Sequence, residues 1–139
     1  MRVLKTKEAF VLRLDKGEEL IAKLKEFCIQ HNLRLGLIIG LGAAHRVVLA
    51  NYNPSTKHYS EQKFEGSFEI AMLNGNISEM NGEPYLHIHA TIADPSFKTY
   101  SGHLKEAVIS ATCEITIIPI QGKLERYYEP KLGLNLYKI

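Results

Sequence analysis

Three histidines stand in one stretch of the chain, YLHIHATIADPSFKTYSGHL: His87, His89 and His103. A single residue separates the first two. On a β-strand successive side chains alternate between faces. His87 and His89 therefore point the same way, with Tyr85 and Thr91, while Leu86, Ile88, Ala90 and Ile92 point toward a core. A rise of about 3.3 Å per residue places the two imidazoles roughly 6.6 Å apart along the strand. Leaning together across that gap they can share one metal ion, because each nitrogen needs to approach zinc to about 2.0–2.1 Å. His103, after a turn and a glycine, is positioned to supply a third ligand. Three neutral nitrogen donors suit zinc, with nickel, copper or iron as alternatives. Three protein ligands also keep one coordination position open, as in catalytic rather than structural zinc. The competing reading is a solvated sheet face that carries imidazoles.

The other reactive side chains are weaker candidates. Glu69, inside the apolar run FEIAML, could orient a ligating histidine or act as a general base. The same alternation also allows it to face solvent. His45 and His58 read as surface residues. Cys28 and Cys113 lie far apart and form no CxxC pair, so both are expected as reduced thiols packed in the core. GLGAA at Gly40–Ala44 lacks the third glycine and the Lys-Ser/Thr of a phosphate loop, and strand-like VVLANY follows it. Its glycines are expected to permit a bend or a close backbone approach. No GxSxG elbow and no Cys-His nucleophile pair is present.

These groups must be carried by a sheet. AFVLRL reads as a strand, and one amphipathic helix follows. Asp15 and Glu18 have capping-box spacing. Leu20, Ile21, Leu24, Phe27 and Cys28 recur at helical intervals, and the helix should end near His31-Asn32. LGLIIGLGAA and VVLANY are strand-like and joined by a Gly-rich bend; NPSTK is a turn; FEIAMLNGNI is a strand. Asn81-Gly82 is a hairpin signal leading into YLHIHATI. ADPSFKTYSG reads as a loop, His103–Val108 as a short helical turn, EAVISATCEITIIPI as a strand, and GLNLYKI as a last short strand. The expected class is α+β, a mainly antiparallel sheet packed with one long helix and a second short one, in a single domain over 1–139.

The composition is that of a folded domain. The 139 residues are 45% hydrophobic and 23% charged, with a formal net charge of +2. That charge is too small to point to nucleic acid. No apolar run approaches the ~20 residues that span a bilayer. The opening MRVLKTKEAF has no secretory pattern, so a cytoplasmic protein is expected, with no membrane partner.

Taken in order, FVLRLDKGEEL, IIGLGAA, ANYNPSTKHY, GSFEIAMLNGNI, GEPYLHIHATIAD, SGHL and TCEITI resemble the PPC domain shared by plant and prokaryotic proteins. The resemblance covers nearly the whole chain. It implies an α/β domain with a mainly antiparallel sheet, assembled as a homotrimer, of the stand-alone prokaryotic type. It also implies zinc at the positions of His87, His89 and His103. A looser likeness extends to the fold of acetolactate decarboxylase. Plant members join the domain to an AT-hook, an Arg-Gly-Arg-Pro segment that this sequence does not contain. The leading expectation is a metal-binding trimer, open to acting as a small-molecule metalloenzyme of unassigned reaction. The alternatives are a DNA-associated regulator and a partner-binding module without catalysis.

Overall fold

The structure, a computed structural model, describes residues 1–139. The chain runs β1 (Arg2–Lys5), β2 (Phe10–Asp15), α1 (Leu20–Gln30), β3 (Gly36–Asn53), β4 (His58–Met80), β5 (Glu83–Ala93), β6 (Thr99–Pro119), β7 (Arg126–Glu129) and β8 (Leu134–Tyr137). The first six strands form one sheet in the order β1-β2-β6-β3-β4-β5, with antiparallel neighbours throughout. A further pairing of β5 with β6 joins the sheet back on itself. β7 and β8 make a separate hairpin. The architecture is mainly antiparallel β with one helix, and no helix is long and apolar enough to cross a membrane.

The core follows from alternation. Leu12 and Leu14 of β2, Ile38 and Val47 of β3, Ile70, Leu73 and Ile77 of β4, Ile88 and Ile92 of β5 and Ile115 and Ile117 of β6 are buried in one cluster. α1 completes it with Leu20, Leu24, Phe27 and Cys28. Its C-terminus closes where expected. Asn32 adopts φ 50°, Leu33 N–H donates to the Cys28 carbonyl at 2.9 Å, and Asn32 N–H to that of Ile29 at 3.2 Å. This is a Schellman ending with asparagine in the left-handed position. Burial pushes the Cys28 and Cys113 thiols up to about 12, as for inert core cysteines.

Four local expectations are corrected. Asp15 does not cap the helix; it ends β2, paired with Thr112. Glu18 does accept from the Asp15 N–H at 2.8 Å, but the cap is Glu19, whose carboxylate accepts from Ile21 and Ala22 N–H. Residues 103–108 form no helical turn, since β3 pairs with them along one side. The ADPSFKTYSG loop shrinks to a turn at Asp94–Lys98. There Asp94 Oδ1 accepts from Ser96 and Lys98 N–H, and Thr99 already pairs with Ala93. β1 was absent from the sequence reading and exists by pairing with β2.

β7 was absent too, and β4 begins ten residues before FEIAMLNGNI, at His58, while other elements match. Asn81 and Gly82 both take positive φ, 54° and 80°, in a tight hairpin between Met80 and Glu83. LGLIIGLGAA and VVLANY are one continuous β3, with register shifts at Gly40/Gly42 and Ala44/Arg46. Gly42 serves a close approach: a Cβ there would lie 2.5 Å from the Thr112 carbonyl oxygen and 2.6 Å from Cys113 Cα.

Candidate metal centre

β5 carries His87 and His89 on the face opposite Ile88, Ala90 and Ile92, which are buried. β6 brings His103 directly opposite His89 in the antiparallel register. The same His103 pairs with Ala50 of β3 on its other side, so it sits where three strands meet. The ring centroids lie 5.2 Å (His87–His89), 5.3 Å (His87–His103) and 5.6 Å (His89–His103) apart. One ring nitrogen from each lies within 4.8 Å of the other two. Nitrogens bound tetrahedrally to zinc at about 2.0–2.1 Å lie roughly 3.4 Å from one another.

Two observations fit this set to a cation that binds neutral imidazole. His103 Nδ1 is buried and has no hydrogen-bond partner. A buried polar atom without a partner is costly unless something else satisfies it. Protonation of His103 and His87 is also disfavoured. Burial, then the neighbouring His87, Lys105 and His89, lowers His103 to about 4. Burial, then Arg126 and His89, lowers His87 below the ordinary imidazole range. Near neutral pH both rings keep a lone pair available for a metal.

Above the histidines lies a cavity of about 230 Å³ walled by Tyr52, Tyr59 and Tyr85 and floored by His87 and His103. The β7–β8 hairpin roofs it with Arg126, Leu134 and Leu136. Arg126 holds the hairpin in place. Its Nε donates to Ser78 Oγ (2.7 Å), Nη1 to the Asn135 carbonyl (2.7 Å) and Nη2 to Asn76 Oδ1 (3.1 Å). The guanidinium also stacks between Tyr85 and Tyr137, at 4.8 and 4.2 Å from their centroids. Tyr52 donates to the Leu132 carbonyl, and Asn135 Nδ2 to Tyr85 Oη at 3.3 Å.

Glu69 is exposed, pairs with Ala43 and Ala93, and stands about 13 Å along β5 from His89, outside this cluster. His45 and His58 are exposed, as expected. The sequence reading missed Arg126 and the tyrosine walls. RYYE shows no motif, and the tyrosines are scattered from position 52 to position 137. Only the hairpin's docking brings them to the histidines.

The sequence model of the Plants and Prokaryotes Conserved (PCC) domain matches residues 1–121. Among solved structures, a "putative DNA-binding protein" from Bacteroides thetaiotaomicron is 32% identical, with 99% of this chain and 96% of that one covered and a TM-score of 0.96. A metal-containing protein from Archaeoglobus fulgidus is 30% identical, with 99% of each chain covered and a TM-score of 0.88. The bifunctional protein GlmU of a Synechococcus strain is 25% identical over 89% of this chain, but the chain spans only about a fifth (21%) of its length. Acetolactate decarboxylase from Bacillus subtilis subspecies spizizenii shares the fold at 15% identity, over 84% of this chain and 54% of that one, with a TM-score of 0.55.

Proposed function

The chain belongs to the Plants and Prokaryotes Conserved domain family, and from that premise we propose that it binds a divalent metal ion, zinc foremost, through His87, His89 and His103. On this reading it acts on a small molecule as a homotrimer in a reducing, cytoplasmic setting. The observation that carries the reading is the convergence of three imidazoles whose donor atoms lie within 4.8 Å of one another. The metal-containing Archaeoglobus fulgidus relative supports it. When bound, such an ion supplies Lewis acidity at a position left open by three protein ligands. The chain's own residues do the rest. The three histidines hold the ion, the tyrosine walls and the β7–β8 roof restrict water, and Tyr59 offers a phenolic hydroxyl beside His103, its ring centroid 5.6 Å away. Burial, then Tyr85 and Tyr52, raises Tyr59 above the ordinary phenol range and keeps that proton in place.

The test is a zinc titration of wild type and of His87→Ala, His89→Ala and His103→Ala, with thermal melts in chelator and in zinc. In chelator His89→Ala should melt close to wild type, since its ring is exposed and packs no core. In zinc at about 100 Kd the wild type should gain about 2.7 kcal/mol that all three variants lack. Equal gains in wild type and variants would falsify the metal site.

A second reading, association with DNA, is favoured by the name of the Bacteroides thetaiotaomicron relative. With a formal net charge of +2, attraction would come from a few Lys/Arg–phosphate contacts. Log affinity should then fall linearly with log salt. Filter binding or anisotropy across a salt series checks this, and a sequence-selective complex at near-physiological salt would promote this reading over the first.

A further inference from the structure

The roof of the cavity carries a positive charge that meets the ring faces of Tyr85 and Tyr137 but no carboxylate. All three hydrogen-bond partners of Arg126 are neutral: a hydroxyl, a backbone carbonyl and a side-chain amide oxygen. No aspartate or glutamate lines the cavities around the three histidines. Two lysines stand near the cavity: Lys105 stacks on Tyr59 and reaches Glu61 only at 4.0 Å, and Lys57, beside Gly133, donates to the Pro130 carbonyl. A half-buried guanidinium normally finds a carboxylate, because unpaired charge away from water is costly. Here the chain spends three of the five N–H donors on neutral acceptors and leaves two unused.

We infer that the cavity between Arg126 and the histidines binds a small organic carboxylate, its two oxygens taken by the free guanidinium N–H donors and its carbon chain lying between Tyr52, Tyr59 and Leu134. Two N–H donors match the two oxygens of a carboxylate, as in fork-shaped Arg–carboxylate pairing. The walls argue for carbon on the ligand rather than for a bare inorganic anion, since three tyrosine rings and two leucines line a space of about 230 Å³. That volume falls below the range of drug-sized sites, so the ligand is small. Arg126 lies beyond the residues that the family model matches. The inference rests on the metal reading for the second positive charge at the cavity floor, but the Arg126 half stands without it.

The experiment follows butyrate and its uncharged isostere butyramide by NMR chemical-shift titration, with inorganic phosphate as a third probe. It uses wild type, Arg126→Gln and Arg126→Lys, each metal-free and after zinc titration. Butyrate should shift the resonances of Tyr85 and Asn135 in metal-free wild type and bind more tightly once zinc is loaded. Its Kd should rise at least tenfold in Arg126→Gln and by less in Arg126→Lys, which keeps the charge and loses the fork. Butyramide should bind all three proteins weakly and alike. Arg126→Lys carries the comparison alone if the glutamine variant loses its hairpin. If zinc fails to bind wild type while butyrate still depends on Arg126, the metal reading falls and the carboxylate site stands. If zinc binds but butyrate affinity is blind to Arg126, or phosphate binds more tightly than butyrate, the carboxylate inference is overturned and the metal reading stands.

Discussion

The imidazole of His103 has two environments at once, a buried nitrogen without a partner and a set of nearby cations and imidazoles. Its proton affinity falls to about 4 from the ordinary 6.5, through burial first and then through His87, Lys105 and His89. His89 faces it from β5 and Tyr59 from β4. In the metal-free protein the unfolded chain binds a proton there below about pH 6.5, while the folded chain resists until about pH 4. The unfolded state holds more protons across that window. Stability should therefore be full above its upper edge and decline as the pH falls toward its lower edge. Urea melts in chelator across the window should show this slope for wild type and a shallower one for His103→Asn. An equal slope in both proteins would mean that His103 is not the group responsible.

Strands place the three ligands, and close strand approach sets their spacing. Gly75 of β4 pairs with Ile88, the residue between His87 and His89. A Cβ at Gly75 would meet the His87 carbonyl oxygen at 2.6 Å and Ile88 Cγ1 at 2.8 Å. Backbone, not a flexible side-chain tip, blocks it, so β5 itself has to move. Gly75→Ala should cost about 1–3 kcal/mol, as overpacking does, and should weaken zinc binding although it removes no ligand. Denaturant melts and a zinc titration measure the two effects separately. Loss of stability with unchanged zinc affinity would show that the ligand set tolerates movement of its strand. α1 acts on the same region from the other side, since Glu19 Oε1 accepts from Ala107 N–H of β6 at 3.1 Å as well as capping the helix.

At the scale of the whole molecule, one helix covers only part of the sheet. Leu37, Ile39 and Leu41 alternate along β3 with 44%, 53% and 56% exposure, and Ile118 stands opposite Leu37 on β6. An exposed apolar stripe of this kind supports self-association. Leu37 also lines a cavity beside His87 and His89, so a covering copy would lie close to the proposed metal site. Ile39→Asp places a charge in the middle of the stripe while leaving the core untouched. If the proposed trimer forms through this stripe, the substitution should shift it to monomer in light scattering, with a small change in the chelator melting temperature. A wild type that is monomeric at all concentrations would remove the trimer from the proposal.

The two faces of β5 were legible in the sequence because alternation is local. YLHIHATI separates histidines from core residues within eight positions, and the structure buries Ile88, Ala90 and Ile92 as that pattern requires. The Asn81-Gly82 turn and the helix end at His31-Asn32 were legible for the same reason, since backbone preference at one or two residues decides them. Neighbours across the sheet were another matter. Residues 103–108 have a locally ambiguous pattern, and pairing with Ala50 and Val47 of β3 makes them strand. That pairing, with the turn at Asp94–Lys98, sets the register that carries His103 opposite His89. Arg126 reaches Asn76 and Ser78 across about fifty residues of chain. Nothing in RYYE encodes the contact, because it exists only once β4, β5 and the hairpin have packed. Periodicity determined which residues face outward together; register and docking, which sum weak preferences over distant strands, decided which of them meet.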